Sequence, residues 1–180
     1  YGGRFFVVPT GVVVEDIARQ VEAGATHITF GDPDFLNGPR HSIEVVRAMH
    51  ERFPTLTFDF TAKIEHLLTR GDDLPEFGRL GCLFIISAVE SLSPTVLKIL
   101  DKQHTADDVT AALDRCRQAG VTLRPTWVAF TPWTTLDDYL EVLDFVETNV
   151  LIDHVDPVQF SIRLLIPPGS WLAEHPATLP

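Results

Sequence analysis

Hydrophobic and polar positions along the chain follow two alternating periods. Apolar residues at helical spacing predict helices, and short apolar runs bounded by turn residues predict buried strands. The predicted helices cover residues 10–23, 40–53, 105–120 and 135–150, with a helical or irregular stretch at 62–80 and a further helix starting at Ser93 and Pro94. The predicted strands cover residues 26–30, 56–60, 82–87, 121–128 and 155–162. The repeating unit is therefore a strand followed by a helix.

Strands that alternate with helices of this length form a parallel sheet with right-handed crossovers. Five strands are too few to close an eight-stranded barrel, so we predict an α/β fold, a partial (open) TIM-type barrel of parallel strands with outer helices. The chain has 180 residues, of which 45% are hydrophobic. That is enough for one sizeable core, and we expect a single domain over residues 1–180.

Two predicted helices begin with the same short motif. Thr105 precedes Asp108 by three residues, and Thr135 precedes Asp138 in the same way. This is the form of a capping box, with Asp in place of the usual Glu. We expect both threonines to cap their helices.

Charge and composition narrow the class of partner and compartment. The chain carries 14 basic and 25 acidic side chains, a formal net charge of −11, and no cluster of Lys and Arg. Nucleic-acid binding is therefore not expected. No apolar run reaches the ~18–20 residues of a membrane helix, and the N-terminus does not resemble a signal peptide. Cys82 and Cys116 have no ligand spacing, and we expect buried, reduced thiols in a cytoplasmic protein.

Polar side chains follow every predicted strand, at the edge where α/β sheets bind their ligands. A carboxylate such as Glu90 could orient a ribose hydroxyl or pair with an ammonium group, and Ser91 could do so more weakly. Such groups suit a zwitterionic nucleoside, a sugar or an amino acid, although turn and capping roles are also open. In chain order the strand-end residues are Asp32 and Asp34; Thr61, Lys63 and Glu65; Glu90 and Ser91; Thr131 and Trp133; Ser161 and Arg163.

Other familiar site patterns do not occur in the sequence. The seven histidines are scattered without a zinc-type spacing, and no metal site is predicted from them. His66 follows the Lys63 to Glu65 segment, and we interpret it as a core or solvated histidine. The chain has neither a G-x-G-x-x-G motif nor a Walker loop.

Several blocks, in order over about residues 10–172, resemble the radical S-adenosylmethionine (SAM) superfamily, in the branch related to B12-binding members. One block resembles a strand end written F-x-D-D-x-F in that branch, one resembles G-C-x5-G-x-E-S, and a late one resembles P-G-T-x-L. The matching segments are residues 28–37; residues 81–91 with Leu97, Lys102, Ala119 and Gly120; and residues 166–172. Ala88 stands where the family has Gly, and Phe130 and Trp133 replace the glycines of a G-x-P-G-E-T loop.

The resemblance implies SAM as cofactor, bound at the carboxyl edge of the sheet. Asp32 and Asp34 would lie near the methionine end of SAM, and Glu90 and Ser91 near its ribose or carboxylate. The substrate side would be lined by Lys63, Glu65, Thr131, Trp133 and Arg163.

The family's CxxxCxxC motif is absent from this sequence. In the family it follows the first strand and directly precedes a segment like residues 1–6, and its three thiolates hold a [4Fe–4S] cluster. The resemblance implies a longer parent protein with the first strand and the cluster loop upstream of Tyr1, and a tail from about residue 167. The parent would be an enzyme, served by a reductase, that cleaves SAM reductively to modify, or transfer a group to, an unknown small-molecule or peptide substrate. We expect the 180 residues alone to be inactive.

Two other functions remain open at this point. One is a conventional barrel lyase or hydrolase that uses Lys63 as a Schiff-base amine or the carboxylates as metal ligands. The other is a non-catalytic SAM-binding or structural domain.

Overall fold

The computed structural model describes residues 6–178, and four parallel strands in it form one sheet. The segments 1–5 and 179–180 lie outside the described residues, so most of the segment that resembles the family's post-cluster region is not covered. The strands follow chain order in the sheet. Their bounds are β1 His27–Phe30, β2 Thr57–Thr61, β3 Cys82–Glu90 and β4 Thr122–Trp127.

Helices connect these strands, and the predicted α/β architecture is confirmed. The α-helices are α1 Thr10–Glu22, α2 Pro39–Arg52, α3 Ile64–Thr69, α4 Leu74–Arg79, α5 Pro94–Ile99, α6 Ala106–Gln118 and α7 Leu136–Thr148. Short 3-10 helices lie at Phe35–Asn37, Gly71–Asp73, Ile152–His154, Pro157–Phe160 and Trp171–Glu174. No helix among the described residues is both long enough and apolar enough to cross a membrane.

Both predicted capping boxes form. The Thr105 hydroxyl accepts a hydrogen bond from the Asp108 backbone N–H at 3.2 Å, and the Asp108 carboxylate accepts from the Thr105 N–H at 2.8 Å. Thr135 and Asp138 repeat these contacts at 3.2 and 2.8 Å. The shorter Asp side chain therefore completes the box at the start of α6 and of α7.

The predicted fifth strand at 155–162 is wrong. Asp156 accepts a hydrogen bond from the Val158 N–H at 3.0 Å and starts the 3-10 turn Pro157–Phe160. Pro157 has no N–H for a sheet ladder, and a turn bonded within itself cannot extend along β4. The segment contacts the end of β4 through the Gln159 side chain, which accepts from the Trp127 N–H at 3.0 Å. One isolated parallel bridge, between Phe130 and Arg163, follows beyond β4.

One face of the sheet and the helices enclose a single cluster of buried apolar side chains. Phe58 and Phe60 of β2 are fully buried in it, and the rings of Phe35 and Phe77 pack against Phe60 in tilted orientations. Aromatic rings bury more apolar area than other side chains and gain further from edge and offset contacts. This cluster holds the strands at a fixed register beneath the helices.

The other face of the sheet is not covered in this way, and we call it the open face. A parallel sheet covered on both faces normally shows near-continuous apolar strands, but here most residues of the second face are polar or exposed. Thr29, Ala88 and Arg124 on this face are exposed. The open face consists of His27 and Thr29; Thr57, Asp59 and Thr61; Phe84, Ile86 and Ala88; Thr122, Arg124 and Thr126. A sheet with one apolar and one polar face fits a partial barrel whose interior is open.

Candidate functional site

The carboxyl ends of β1, β2 and β3 surround a pocket of about 240 Å³. Parallel strands bring their carboxyl ends to one edge, so residues distant in sequence meet there. A second pocket of about 460 Å³ shares the segment from Asp101 to His104 with the first. The lining of the first pocket includes Pro33, Thr61, Lys63, Glu65, Ala88, Lys102 and His104.

Asp32 and Asp34 flank Pro33 in the loop after β1 and have different surroundings. Asp32 is exposed, and one of its carboxylate oxygens accepts a hydrogen bond from the Asp34 N–H at 2.9 Å. Asp34 is buried, with one oxygen 3.4 Å from the Lys63 N–H and the other 2.7 Å from Nδ1 of His66. The His66 contact is close but lies off the direction of an N–H bond. Asp34 therefore connects the β1 loop to α3, while the second carboxylate oxygen of Asp32 has no hydrogen-bond partner in the described part of the chain.

Glu90 is the last residue of β3, which runs three residues beyond the predicted end. Its φ of +70° is a left-handed conformation that costs a non-glycine residue roughly 1–2 kcal/mol. The chain reaches this conformation through a register shift between Ala88 and Glu90, and the Val128 N–H bonds the Glu90 carbonyl at 2.9 Å. Strain of this kind concentrates at ligand sites because other contacts must hold it in place.

Lys102 pairs with the Glu90 carboxylate, and this was not foreseen as a site contact. Its Nζ lies 3.0 Å from Oε1 of Glu90 and 3.3 Å from the Ala88 carbonyl. Both side chains are about three-quarters buried, at 26% and 21% exposed. Lys102 lines the pocket, whereas Glu90, Asp32 and Asp34 lie beside it and are not among its lining residues. The ammonium of Lys102 and its partner carboxylate therefore lie side by side next to the pocket. Lys102 is one of the residues that match the family pattern. Its partner Glu90 lies twelve positions earlier, with a helix between them, so the sequence did not indicate that the two side chains pair.

Ser91 lies inside the protein rather than at the pocket surface. It is 4% exposed, and its hydroxyl accepts a hydrogen bond from the Ser93 N–H at 3.1 Å. Ser93, the N-cap residue of α5, makes no capping hydrogen bond through its own side chain. The Ser91 hydroxyl thus stabilises the turn that leads into α5.

His104 also lines the pocket, and its environment sets its charge. Burial lowers the pKa of the imidazole below its usual value near 6.5. Nε2 lies 3.2 Å from the Val89 carbonyl, which can only accept, so Nε2 carries the proton. The neutral ring then leaves Nδ1 as a hydrogen-bond acceptor.

The remaining predicted site residues fall into two groups. Lys63 and Glu65 are exposed and line the pocket between β2 and α3. Thr131, Trp133 and Arg163 lie beyond β4 and do not line it. The structure therefore does not bring all five predicted substrate residues to one pocket.

Thr131 and Trp133 make contacts that organise the loop after β4. The Thr131 hydroxyl lies 2.8 Å from the Thr134 hydroxyl and accepts from the Trp133 N–H at 3.2 Å. The Trp133 indole N–H donates to the Ala177 carbonyl at 3.0 Å and joins the loop to the C-terminal segment. Arg163 is exposed beside the Phe130 bridge.

The two cysteines are buried and unpaired, as predicted. Burial raises the pKa of Cys116 to about 12 and raises that of Cys82 further. Such thiols are poor sources of thiolate. Two buried thiols cannot supply the three ligands of a [4Fe–4S] cluster, and no group of three or more metal-binding side chains forms within residues 6–178. The residues present here do not fit that cluster.

Comparison with known proteins matches this geometry. The sequence model of the Radical SAM superfamily matches residues 1–146. Among curated proteins, none matches the chain. The cobalamin-dependent S-adenosylmethionine radical enzyme OxsB, with aqua-cobalamin and SAM bound, has a TM-score of 0.64 and 23% identity, over 88% of this chain and 23% of that enzyme.

A second solved structure has the same fold. TsrM from Kitasatospora setae, a radical SAM methyltransferase with cobalamin and a [4Fe–4S] cluster bound, has a TM-score of 0.63 and 16% identity, over 79% of this chain and 27% of that enzyme. The chain thus spans about a quarter of the length of these enzymes. At these identities the likeness shows the fold, a TIM-barrel-like sheet.

Proposed function

The chain belongs to the radical SAM superfamily, and from that premise we propose that the pocket at the carboxyl edge of β1, β2 and β3 binds SAM. The observation that supports this proposal is the convergence of three strand ends on one pocket. Beside lining residues Pro33 and Lys102 lie an exposed carboxylate, Asp32, and the Glu90 carboxylate that pairs with Lys102. Together they offer both signs of charge to a zwitterionic nucleoside.

The charges of SAM assign a role to each side chain. The amino-acid end of SAM carries an ammonium and a carboxylate beside a positive sulfonium. Asp32, with an oxygen free of its turn, suits the ammonium, while Asp34 holds the loop in place. The positive charge of Lys102 suits it to pair with the SAM carboxylate. The Glu90 carboxylate, which holds Lys102 in place, can accept from the ribose hydroxyls.

The chain would supply part of an active site. In this superfamily a [4Fe–4S] cluster supplies the electron for reductive cleavage of SAM. The CxxxCxxC motif that would hold this cluster is absent from residues 1–180. We place the cluster ligands, and the surface for a reductase, in the parent protein outside this sequence. The 180 residues would then bind SAM without cleaving it. Lys63, Glu65, Thr131, Trp133 and Arg163 remain assigned to the substrate side.

Calorimetric titration with SAM tests this proposal directly. Glu90→Gln keeps the shape of the side chain but removes its charge, and we expect SAM binding to weaken at least about tenfold because charge-assisted hydrogen bonds contribute about 1.5–3 kcal/mol. Glu147→Gln, on the exposed surface of α7, is the matched control and should bind SAM like the wild type. Equal affinity of the Glu90 variant and the wild type would contradict the assignment.

The reaction itself is tested on the parent protein. After anaerobic reconstitution with iron and sulfide and reduction, the parent should release 5′-deoxyadenosine from SAM, measured by mass spectrometry. The same treatment of the 180-residue chain should release none. A parent protein that binds SAM but forms no cluster would contradict the proposed reaction and support the alternative of a non-catalytic SAM-binding domain.

A further inference from the structure

A hydrogen-bonded cluster on the open face lies outside the set of residues assigned above to SAM. The imidazole of His27 lies 2.8 Å from Oδ1 of Asp59 and 2.8 Å from the Thr57 hydroxyl. The Thr29 hydroxyl donates to the same Asp59 oxygen at 2.7 Å. Four side chains from two strands are therefore held in one network below the carboxyl edge.

The Asp59 carboxylate is buried and makes its contacts within this network. Its side chain is only 2% exposed, and two donors converge on one oxygen. Because a carboxylate only accepts, the His27 Nε2 atom must carry a proton. The surface that the open face presents to solvent here is the ring of His27 and its neighbours, rather than a free carboxylate.

Arg124 lies on the same face and is not paired with an acid. Its guanidinium lies 3.8 Å from the centre of the Phe84 ring, and His27 stacks on the same ring at 6.0 Å. Arg124 is exposed, and within residues 6–178 no acidic side chain forms a salt bridge with it. Stacking on Phe84 fixes the guanidinium plane while leaving its N–H edge free to bind an oxyanion in a bidentate way.

We propose that Arg124 binds the anionic group, a carboxylate or phosphate, of the small-molecule substrate of this protein. The inference rests on the proposed SAM site, because it places the substrate on the open face beneath that site. Arg124 precedes the end of β4 by three residues, about 10 Å along a strand. A substrate held by its anionic end at Arg124 would extend toward the carboxyl edge and present its far end to SAM. The Thr126 side chain lies on the same face between Arg124 and that edge.

Titration of the 180-residue chain with inorganic phosphate and, separately, with acetate tests this site. The side-chain Nε–H resonance of Arg124 in a ¹⁵N spectrum should shift and saturate, and the anion that saturates at lower concentration identifies the class. Arg124→Gln should weaken binding about tenfold or more, as expected for loss of a charge-assisted pair. Arg19→Gln, which removes the same charge from the exposed side of α1, should bind the anion like the wild type.

One further variant and a SAM titration separate the possible outcomes. Arg124→Lys keeps the charge but loses the planar fork, and should bind with intermediate affinity if the variant folds as judged by its melting temperature. Equal anion affinity in wild type and Arg124→Gln, or no saturation in the wild type, would overturn the proposal. SAM binding should survive Arg124→Gln. If the wild type fails to bind SAM but still binds the anion saturably, the cofactor assignment is refuted and the anion site is not.

Discussion

Replacing Ser87 with alanine should make the protein more stable. The Ser87 side chain in β3 is 0% exposed, and its hydroxyl has no hydrogen-bond partner among the described residues. Leaving a buried hydroxyl unpaired costs about 1–3 kcal/mol. Removing it leaves a void of about 15 Å³, which costs about 0.4 kcal/mol at roughly 24 cal/mol per Å³. The net gain in the free energy of unfolding should be about 1–2 kcal/mol.

Thermal unfolding followed by circular dichroism measures this gain. For a chain of this length it corresponds to a melting temperature about 2–8 °C higher. Ser42→Ala is the matched control, because Ser42 is also buried but its hydroxyl donates to the Phe35 and Gly38 carbonyls. That variant should lose about 1 kcal/mol. A Ser87→Ala variant that melts at or below the wild-type temperature would refute the reasoning and indicate a partner for the hydroxyl, such as a buried water.

Two further predictions concern the helix caps and the pocket histidine. Thr105→Ala and Thr135→Ala should each lower the free energy of unfolding by about 1 kcal/mol in urea denaturation, because each removes an N-cap acceptor; Thr110→Ala, within α6, is the control and should cost less. The lowered pKa of His104 means that the unfolded chain binds a proton more readily than the folded one. The contribution of His104 to the free energy of unfolding is therefore complete above about pH 6.5. It falls as the pH drops below that value, since unfolding then takes up a proton. His104→Gln should flatten this part of the pH dependence of stability, and an unchanged slope would contradict the role.

Local sequence patterns were sufficient for most of the secondary structure. The two capping boxes, the helical spacing in α1 and α2, and the four strands of the sheet were all predicted within a few residues. These features depend on residues that are close together in the sequence. The segment 155–162 failed because its apolar residues suit a strand while Asp156 and Pro157 start a 3-10 turn. A short apolar run does not by itself exclude a turn conformation.

The candidate site was predicted as a set of positions, but not as a set of contacts. Sequence order placed Asp32 after the first predicted strand and Glu90 after the third, and parallel strands bring such ends to one edge. The partners of these carboxylates could not be read in the same way. Asp34 lies against His66 and Glu90 against Lys102, and these contacts depend on how α3 and the loop after α5 pack on the sheet.

The open face shows the same limit. Alternation in His27-x-Thr29, Thr57-x-Asp59-x-Thr61 and Thr122-x-Arg124-x-Thr126 is a period-two signal that the sequence does contain. It indicates that each strand has one polar face. It does not show that the polar residues of four strands share one face, which requires the register between strands.

The sequence by itself therefore determined the strand and helix order, the caps, and a row of polar groups at one edge of a parallel sheet, because these follow from local periodicity and chain direction. Only the tertiary structure decided which carboxylate is paired with Lys102 and which is held by its own turn. It also decided that Arg124 lies on the open face with no acidic partner among residues 6–178. Hydrogen bonds and ion pairs form between atoms a few ångströms apart, and those distances are set by packing between segments that are far apart in the chain.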